Sequence, residues 1–318
     1  MKKKNDLEGF IQQDLFASPF IKYNRAIKLL LELKFRHAER LLEEFKRIDQ
    51  GKRDLGLEYD IIAFLREHES ILAHDADPRT AFRLWEERWE ELYRKESART
   101  GLLSSFRRSY FRHVSSFLAP GTNPDLTEEK IFLDGTALLI MIRGEFLQEV
   151  SSMASKVAEV SREPGRILGY KGDALYLLDE VDAARRSYLT ALLLDPSSVD
   201  ADNLCDPDTR ELLCHPGTYL DELDVPEGPW SNDRHWAAVA GILAGIFLPP
   251  PVFDAVQVSE WWDVLYNDHA SQGTAFAAGM ILSAQGMKPL SLVDIDISAV
   301  RNRMRKISPE LFAVFMRN

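Results

Sequence analysis

The amino-acid sequence predicts an all-α protein, and three observations support this class. Apolar residues recur every three or four positions over long stretches, which places them on one face of a helix. One such stretch contains Phe82, Trp85, Trp89 and Leu92. A capping residue followed by proline marks three helix starts, Asp77-Pro78, Asp206-Pro207 and Ser308-Pro309. The first residue of each pair can cap the free amides of the helix, and proline at the first helical position loses no hydrogen bond. The alternating pattern typical of strands is scarce.

Length and composition are those of a globular protein with a sizeable core. The chain has 318 residues, which favours two domains, and 45% of them are hydrophobic. Its two cysteines, Cys205 and Cys214, are too few for a disulfide framework, and no apolar stretch follows the basic N-terminus. The longest apolar run, 236–248, is shorter than the about 20 residues that span a bilayer, so it predicts a buried helix. We therefore expect a cytoplasmic protein without a membrane span.

Charge is unevenly distributed along the chain. The net charge is −11, with 31 basic and 33 acidic side chains in residues 1–196 but 8 and 17 in residues 197–318. Within 197–268 only Arg210 and Arg234 oppose 14 acidic residues. Such a field disfavours nucleic acid and anionic membranes as partners of the second half and favours a basic partner, unless it serves solubility alone. The break after residue 196 also predicts a domain boundary.

The strongest repeat signal lies in residues 165–196, which read GRILGYKGDALYLLDEVDAARRSYLTALLLDP. This segment predicts two helices, 166–178 and 182–194. Two small residues, Gly172 and Ala184, would let the paired helices approach closely. Further packing positions and the end of the second helix are occupied by Tyr188, Ala191 and Asp195-Pro196. In these positions the segment resembles the tetratricopeptide repeat family.

The same segment departs from that family at three positions. Leu168 and Leu175 stand where larger aromatic side chains are usual. Lys171 stands where the family has an apolar residue. An amphipathic hairpin unrelated to the family is the alternative interpretation.

Weaker echoes of the repeat precede it, in residues 131–160 and 22–50. A single helical hairpin cannot bury its apolar face and needs neighbours. The resemblance therefore implies a right-handed stack of antiparallel hairpins over residues 1–199. An acidic α-helical cap or second domain is expected to follow over residues 200–318.

A peptide-binding groove lined by first helices is what the resemblance implies for function. In the best repeat the side chains that would line or edge it are those of Arg166, Gly169, Tyr170, Asp173 and Tyr176. Tyrosine and arginine are favoured anchors, since each combines a large contact area with a hydrogen-bonding tip. The family's clamp for a terminal carboxylate uses lysine and asparagine where this chain has glycine and aspartate, so that specificity is not implied. Packing of these side chains against the upstream hairpin is the alternative.

A second candidate surface is the basic and aromatic stretch 99–113. Its arginines, which pair well with phosphates, include Arg107, Arg108 and Arg112. Aromatic residues interleave with them and could stack on unpaired bases. The helical spacing of Leu103, Phe106, Tyr110 and Val114, however, predicts that the aromatics are core and the arginines an exposed face. An anionic protein segment is then a better partner than RNA.

Signatures of metal or catalytic chemistry are weak. Cys205, Cys214, His215 and His235 have spacings unlike those of zinc sites, so we expect no metal, and nothing indicates another cofactor. Asp206 is better explained as a helix cap and the cysteines as core residues. No nucleophile elbow or glycine-rich phosphate loop is present.

The sequence therefore favours a non-enzymatic scaffold or adaptor that binds a peptide or helix of another protein in its groove. Two alternatives stay open. One is an enzyme whose site lies in residues 200–318, with His215, His235 or His269 beside a buried carboxylate. The other is an RNA-binding helical repeat that uses residues 99–112.

Overall fold

The computed structural model of the chain is built from helices. It describes residues 19–72, 77–96, 101–118, 135–223, 225, 228, 230, 232–248, 255–267, 270–286 and 295–317. Within these ranges there are seventeen α-helices, four short 3₁₀ turns and no strand. The all-α prediction is therefore confirmed.

The chain forms two compact units. The first contains Met1–Thr127 and Arg143–Glu145, and the second contains Glu128–Ile142 and Phe146–Asn318. Helices up to residue 118 are α1 Pro19–Leu31, α2 Phe35–Asp49, α3 Gly56–Glu67, α4 Pro78–Arg88, α5 Glu90–Glu96 and α6 Gly101–Ser115. Next in the chain are α7 Thr136–Arg143, α8 Leu147–Val160, α9 Pro164–Leu177 and α10 Val181–Leu194. The remaining helices are α11 Pro207–Cys214, α12 Pro216–Asp221, α13 Ala237–Leu243, α14 Ala255–Tyr266, α15 Gln272–Gly286, α16 Ile297–Ile307 and α17 Pro309–Phe315.

Helix starts follow the cap chemistry that the sequence predicts. The Asp77 carboxylate accepts hydrogen bonds from the first turn of α4, and Asp206 accepts one from the first turn of α11. The Ser308 side chain does the same for α17. In each case proline follows as the first helical residue, where it costs no hydrogen bond.

An aromatic cluster forms the core of the first unit. The ring centroids of its neighbouring members lie 5.3–6.5 Å apart. The cluster consists of Phe64, Trp85, Trp89, Phe106, Tyr110 and Phe111, all nearly inaccessible to solvent. The Tyr110 hydroxyl donates a hydrogen bond of 2.7 Å to the Ala81 carbonyl, so its polar end is satisfied inside the core.

The hairpin predicted in residues 165–196 is present as α9 and α10, which pack against each other. Its helices begin and end within two residues of the predicted bounds. The Tyr188 ring lies over Gly172, where an added Cβ would come within 2.3 Å of it. The expected close approach at Gly172 is thus confirmed. In addition, α8 packs against α9.

Three tight turns, those joining α1 to α2, α7 to α8 and α9 to α10, share one backbone conformation. Leu33, Glu145 and Asp179 have φ of 59°, 65° and 62°. The residue that follows each of them has φ between −87° and −90° and ψ between 55° and 57°. Its amide donates five residues back, with N···O distances of 2.9–3.0 Å. The three turns lie in the same three segments, 22–50, 131–160 and 165–196, in which the sequence shows the repeat signal or its echoes.

Residues other than glycine adopt positive φ at a cost in free energy. A glycine at this position of the turn should therefore stabilise the protein. Asp179 is exposed and takes part in no ion pair with another described residue. Asp179→Gly should therefore raise the free energy of unfolding by about 0.5–1 kcal/mol. Urea unfolding measures the change. Asp182→Gly, in the first turn of α10, should lower stability instead, by about 0.5–1 kcal/mol, because it removes a carboxylate that is favourable at a helix N-terminus and adds backbone freedom. A destabilising Asp179→Gly would contradict the strained turn.

One continuous core joins the hairpin to the helices after it. The core runs from Leu168 in α9 to Val314 in α17, and α10 contacts α15 directly. The unit boundary at residues 127 and 128 therefore differs from the one expected between 199 and 200. The balance of acidic and basic residues changes abruptly after residue 196, whereas the buried hydrophobic core continues across this point. The apolar run 236–248 contains α13, whose first five residues are buried as expected.

No helix among the residues that the structure describes combines the length and the apolar character needed to cross a bilayer.

Candidate functional site

The face of α9 that was expected to line a groove is covered by the chain that follows α10. The Tyr170 hydroxyl donates to the Asp200 carboxylate at 2.8 Å. Asp173 accepts hydrogen bonds from the Tyr188 hydroxyl at 2.7 Å and from the Cys205 amide at 2.8 Å. With 4% and 1% of their surface exposed, Tyr170 and Asp173 cannot contact a partner. In this structure both side chains contribute to internal packing instead of the partner binding expected of them.

Burial perturbs the acid–base chemistry of this covered face. It raises the pKa of Asp173 to about 7, against the opposing effect of the Cys205 and Tyr188 hydrogen bonds. Burial and the nearby Asp200 carboxylate likewise raise the pKa of Tyr170. These groups are held in internal hydrogen bonds, so we assign them to the packing of segment 199–205 on α9.

Of the other three residues expected on that face, Arg166 and Tyr176 are more accessible and Gly169 is buried. Arg166 is partly exposed and forms an ion pair of 2.7 Å with Glu163, one turn earlier. Tyr176 is partly buried and packs against the core of the second unit. Gly169 faces Val199, whose Cγ1 would lie 3.7 Å from an added Cβ. Segment 199–205 thus occupies the place that the repeat resemblance assigned to a peptide.

Two of the three arginines of α6 share one carboxylate, and the third lies against an aromatic ring. Arg108 and Arg112 both contact Glu145, at 2.6 and 3.5 Å. The guanidinium of Arg107 lies 4.3 Å from the centre of the Tyr93 ring, and burial lowers the pKa of this guanidinium. The helical aromatics are core, as expected. Among the described arginines of this stretch, two are therefore paired with an acidic residue and one is largely buried, and Arg99 lies outside the described residues.

Residues proposed for an enzyme site do not converge where the structure describes them. His235 contacts Asp233 at 2.7 Å, but that carboxylate is about half exposed, and His215 is exposed between α11 and α12. His269 lies outside the described ranges. Among described residues, no three His, Cys, Asp or Glu side chains are placed to hold a metal ion. Cys205 is only partly buried and Cys214 is exposed, so the expectation that both are core residues was wrong.

An open groove lies instead between α8, α9 and α10, with a volume of about 470 Å³. We call it the α8–α10 groove. Its apolar floor is formed by Leu168, Leu175 and Ala183. Its polar walls are formed by Ser151 and Ser155 of α8, Lys171 of α9, and Arg186, Ser187 and Thr190 of α10. None of these residues was predicted to bind a partner.

Helical spacing explains why these side chains share one groove. Ser151 and Ser155 are four residues apart on α8, and positions 183, 187 and 190 recur at steps of four and three on α10. The Ser187 hydroxyl donates to the Leu168 carbonyl at 2.8 Å, which ties α10 to α9 beneath the groove. Leu194, four residues beyond Thr190, continues the stripe and is 51% exposed. The groove is thus built on packed helices rather than on loops.

Neither cation of the groove has an acidic partner among the residues that the structure describes. Lys171 Nζ donates to Ser155 Oγ at 2.8 Å, and neither Lys171 nor Arg186 forms an ion pair with a described carboxylate. The other arginines of the hairpin differ: Arg166 is paired with Glu163, and Arg185 with Asp206 and Asp208. The groove therefore presents two uncompensated positive charges beside hydroxyl groups in a chain whose net charge is −11.

Comparison of the chain with protein-family models, with curated proteins and with solved structures finds no match.

Proposed function

We propose that the protein is a non-enzymatic interaction scaffold that holds an extended segment of a partner polypeptide in the α8–α10 groove. In this proposal α7–α10 are successive hairpins of a right-handed stack similar to that of tetratricopeptide repeats. The shared turn conformation and the packing of α8, α9 and α10 in sequence order support the stack. The observation that carries the function is the groove itself, open to solvent and lined by three successive helices.

The dimensions of the groove suit a short stretch of extended chain. Its α10 wall runs from Ala183 to Thr190, about 10 Å at 1.5 Å per residue. About three residues of extended polypeptide cover that length. If the partner continues over Leu194, about five residues are in contact. A volume of about 470 Å³ lies within the range of pockets that bind ligands specifically.

Chemical features favour a polypeptide over a small apolar ligand. The groove is open along one side, and its walls carry hydroxyl groups as well as a lysine and an arginine. An extended peptide alternates its side chains between two faces and offers unpaired backbone groups at the edges. Its side chains could pack on Leu168 and Leu175 while its backbone binds the serine hydroxyls. Rigid helical walls lower the entropy cost of such binding.

Filling the groove should abolish this binding. Nonapeptides selected from a random display library on the wild-type protein should bind Ser151→Trp at least about tenfold more weakly, because the indole would occupy the space between α8 and α10. Ser152→Trp is the matched control, since Ser152 is exposed on the same helix outside the groove. Its affinity should stay within about twofold of wild type.

Fluorescence anisotropy with the labelled peptides measures both variants, and circular dichroism verifies that each is folded. Selected peptides that bind Ser151→Trp as well as wild type would place the binding surface elsewhere. Failure of the wild-type protein to enrich any sequence would also contradict the proposal.

A further inference from the structure

We infer that the segment held in the α8–α10 groove is acidic, and that its aspartate or glutamate side chain binds between Lys171 and Arg186. This inference rests on the proposed function and adds the chemistry of the partner. Its basis is the pairing pattern of the hairpin: the cations that face other surfaces are paired with carboxylates, and the two that line the groove are not.

Lys171 is the main evidence for an acidic partner. The lysine is half-buried on α9, and its ammonium group reaches across to α8. Its ammonium group reaches Ser155 at 2.8 Å and has two further N–H donors. A partly desolvated cation without a counter-charge gains more from binding a carboxylate than an exposed one does.

The neighbouring hydroxyl groups add selectivity for an anion. Because Ser155 Oγ accepts from Lys171, its own proton remains available for an incoming oxygen. The Ser151 hydroxyl lies one turn away on the same face of α8. Thr190 and Ser187, in contrast, already donate to the Arg186 and Leu168 carbonyls. The available donors thus come from α8, α9 and α10 together, which fits a carboxylate held at the centre of the groove.

The charge of this groove is opposite to that of the segment 197–268. The acidic excess there favours a basic partner, whereas Lys171 and Arg186 favour an acidic one. Both could serve one partner of mixed charge. The groove is the more specific of the two, because its charges stand beside an apolar floor and hydrogen-bond donors in one cavity.

The test uses a labelled peptide of three Ser-Glu-Leu units, with Ser-Gln-Leu and Ser-Lys-Leu peptides as matched probes. The leucines suit the apolar floor, and only the charge differs. The glutamate peptide should bind at least about tenfold more tightly than the glutamine peptide, and the lysine peptide most weakly. Its affinity should fall as salt is added.

Removing the two positive charges of the groove should abolish this preference. Lys171→Gln combined with Arg186→Gln should weaken binding of the glutamate peptide at least about tenfold. The control combines Lys156→Gln with Arg210→Gln, which removes two exposed charges outside the groove and should change affinity less than about threefold. An equal loss in both double variants would mean that net charge alone drives binding and would overturn the inference.

Two other outcomes also decide the question. A glutamine peptide that binds as tightly as the glutamate peptide, and is blocked by Ser151→Trp, would overturn the acidic preference while the groove function stands. A peptide with phosphoserine in place of glutamate could bind at least about tenfold more tightly while the glutamate peptide shows no measurable binding. The groove would then recognise a phosphorylated segment, and the inference would be wrong.

Discussion

Replacing Arg143 with methionine is expected to lower the free energy of unfolding of the first unit by about 3–5 kcal/mol. The Arg143 side chain is 2% exposed and contacts the carboxylates of Glu86 and Glu90. Its guanidinium also lies 4.8 Å from the Phe82 ring centre. Burial tends to raise the pKa of Glu90, but Arg143 and the Trp85 indole N–H outweigh it and hold that pKa below its usual value. Without Arg143 a buried carboxylate would lose its main counter-charge.

Urea unfolding measures the loss, and hydrogen exchange in α4 and α6 assigns it to the first unit. Adding Glu90→Gln to Arg143→Met should restore part of the stability, since the buried negative charge is then gone. Arg108→Met is the control. Its ion pair with the partly exposed Glu145 should contribute less than about 1 kcal/mol. Equal effects of the two arginine variants would contradict a buried ion-pair network.

The second large effect is a pH dependence at Asp173. Burial, with a smaller contribution from the Asp200 carboxylate, raises the pKa of this carboxyl to about 7 in the folded protein, against about 3.9 when unfolded. Between these values the folded protein binds the extra proton, so its stability falls by about 1.4 kcal/mol per pH unit as pH rises. Asp173→Asn removes this proton linkage. Relative to wild type, the variant should gain about 3 kcal/mol between pH 5 and pH 8.

The difference is measured by urea unfolding of both proteins across that pH range. The asparagine carbonyl can still accept the Tyr188 and Cys205 hydrogen bonds, so the contact between α9 and segment 199–205 is retained. Asp182→Asn, at an exposed position on α10, is the control and should show no comparable change. A difference between wild type and Asp173→Asn that stays constant with pH would contradict the buried carboxyl.

Local features of the fold were predictable from the sequence. The bounds of α9 and α10, the caps at Asp77 and Asp206, and the contact of Gly172 with its partner helix all depend on residues close together in the chain or on helical periodicity. The ion pair between Arg143 and Glu86 was not predictable, because its residues are 57 positions apart. Nothing in their local pattern marks them as neighbours.

The face of α9 that the sequence predicted to line a groove is partly covered in the structure. Periodicity indicates which residues share a face, but it does not tell which segment covers that face. Here residues Val199 to Cys205 cover Tyr170 and Asp173. One signal pointed toward the α8–α10 groove, since Lys171 stands where the tetratricopeptide resemblance leads us to expect an apolar residue. Its significance became visible only when Ser155 and Arg186 were found beside it.

The most direct test of the α8–α10 groove is a chemical-shift titration of ¹⁵N-labelled protein with the Ser-Glu-Leu peptide. The largest shifts are expected at amides that line the groove, those of Ser151, Ser155, Lys171, Arg186 and Thr190. Amides of α6 near Arg108 and Arg112 should stay unchanged. Shifts confined to α6, or to the acidic segment 197–268, would contradict the groove as the site of partner binding.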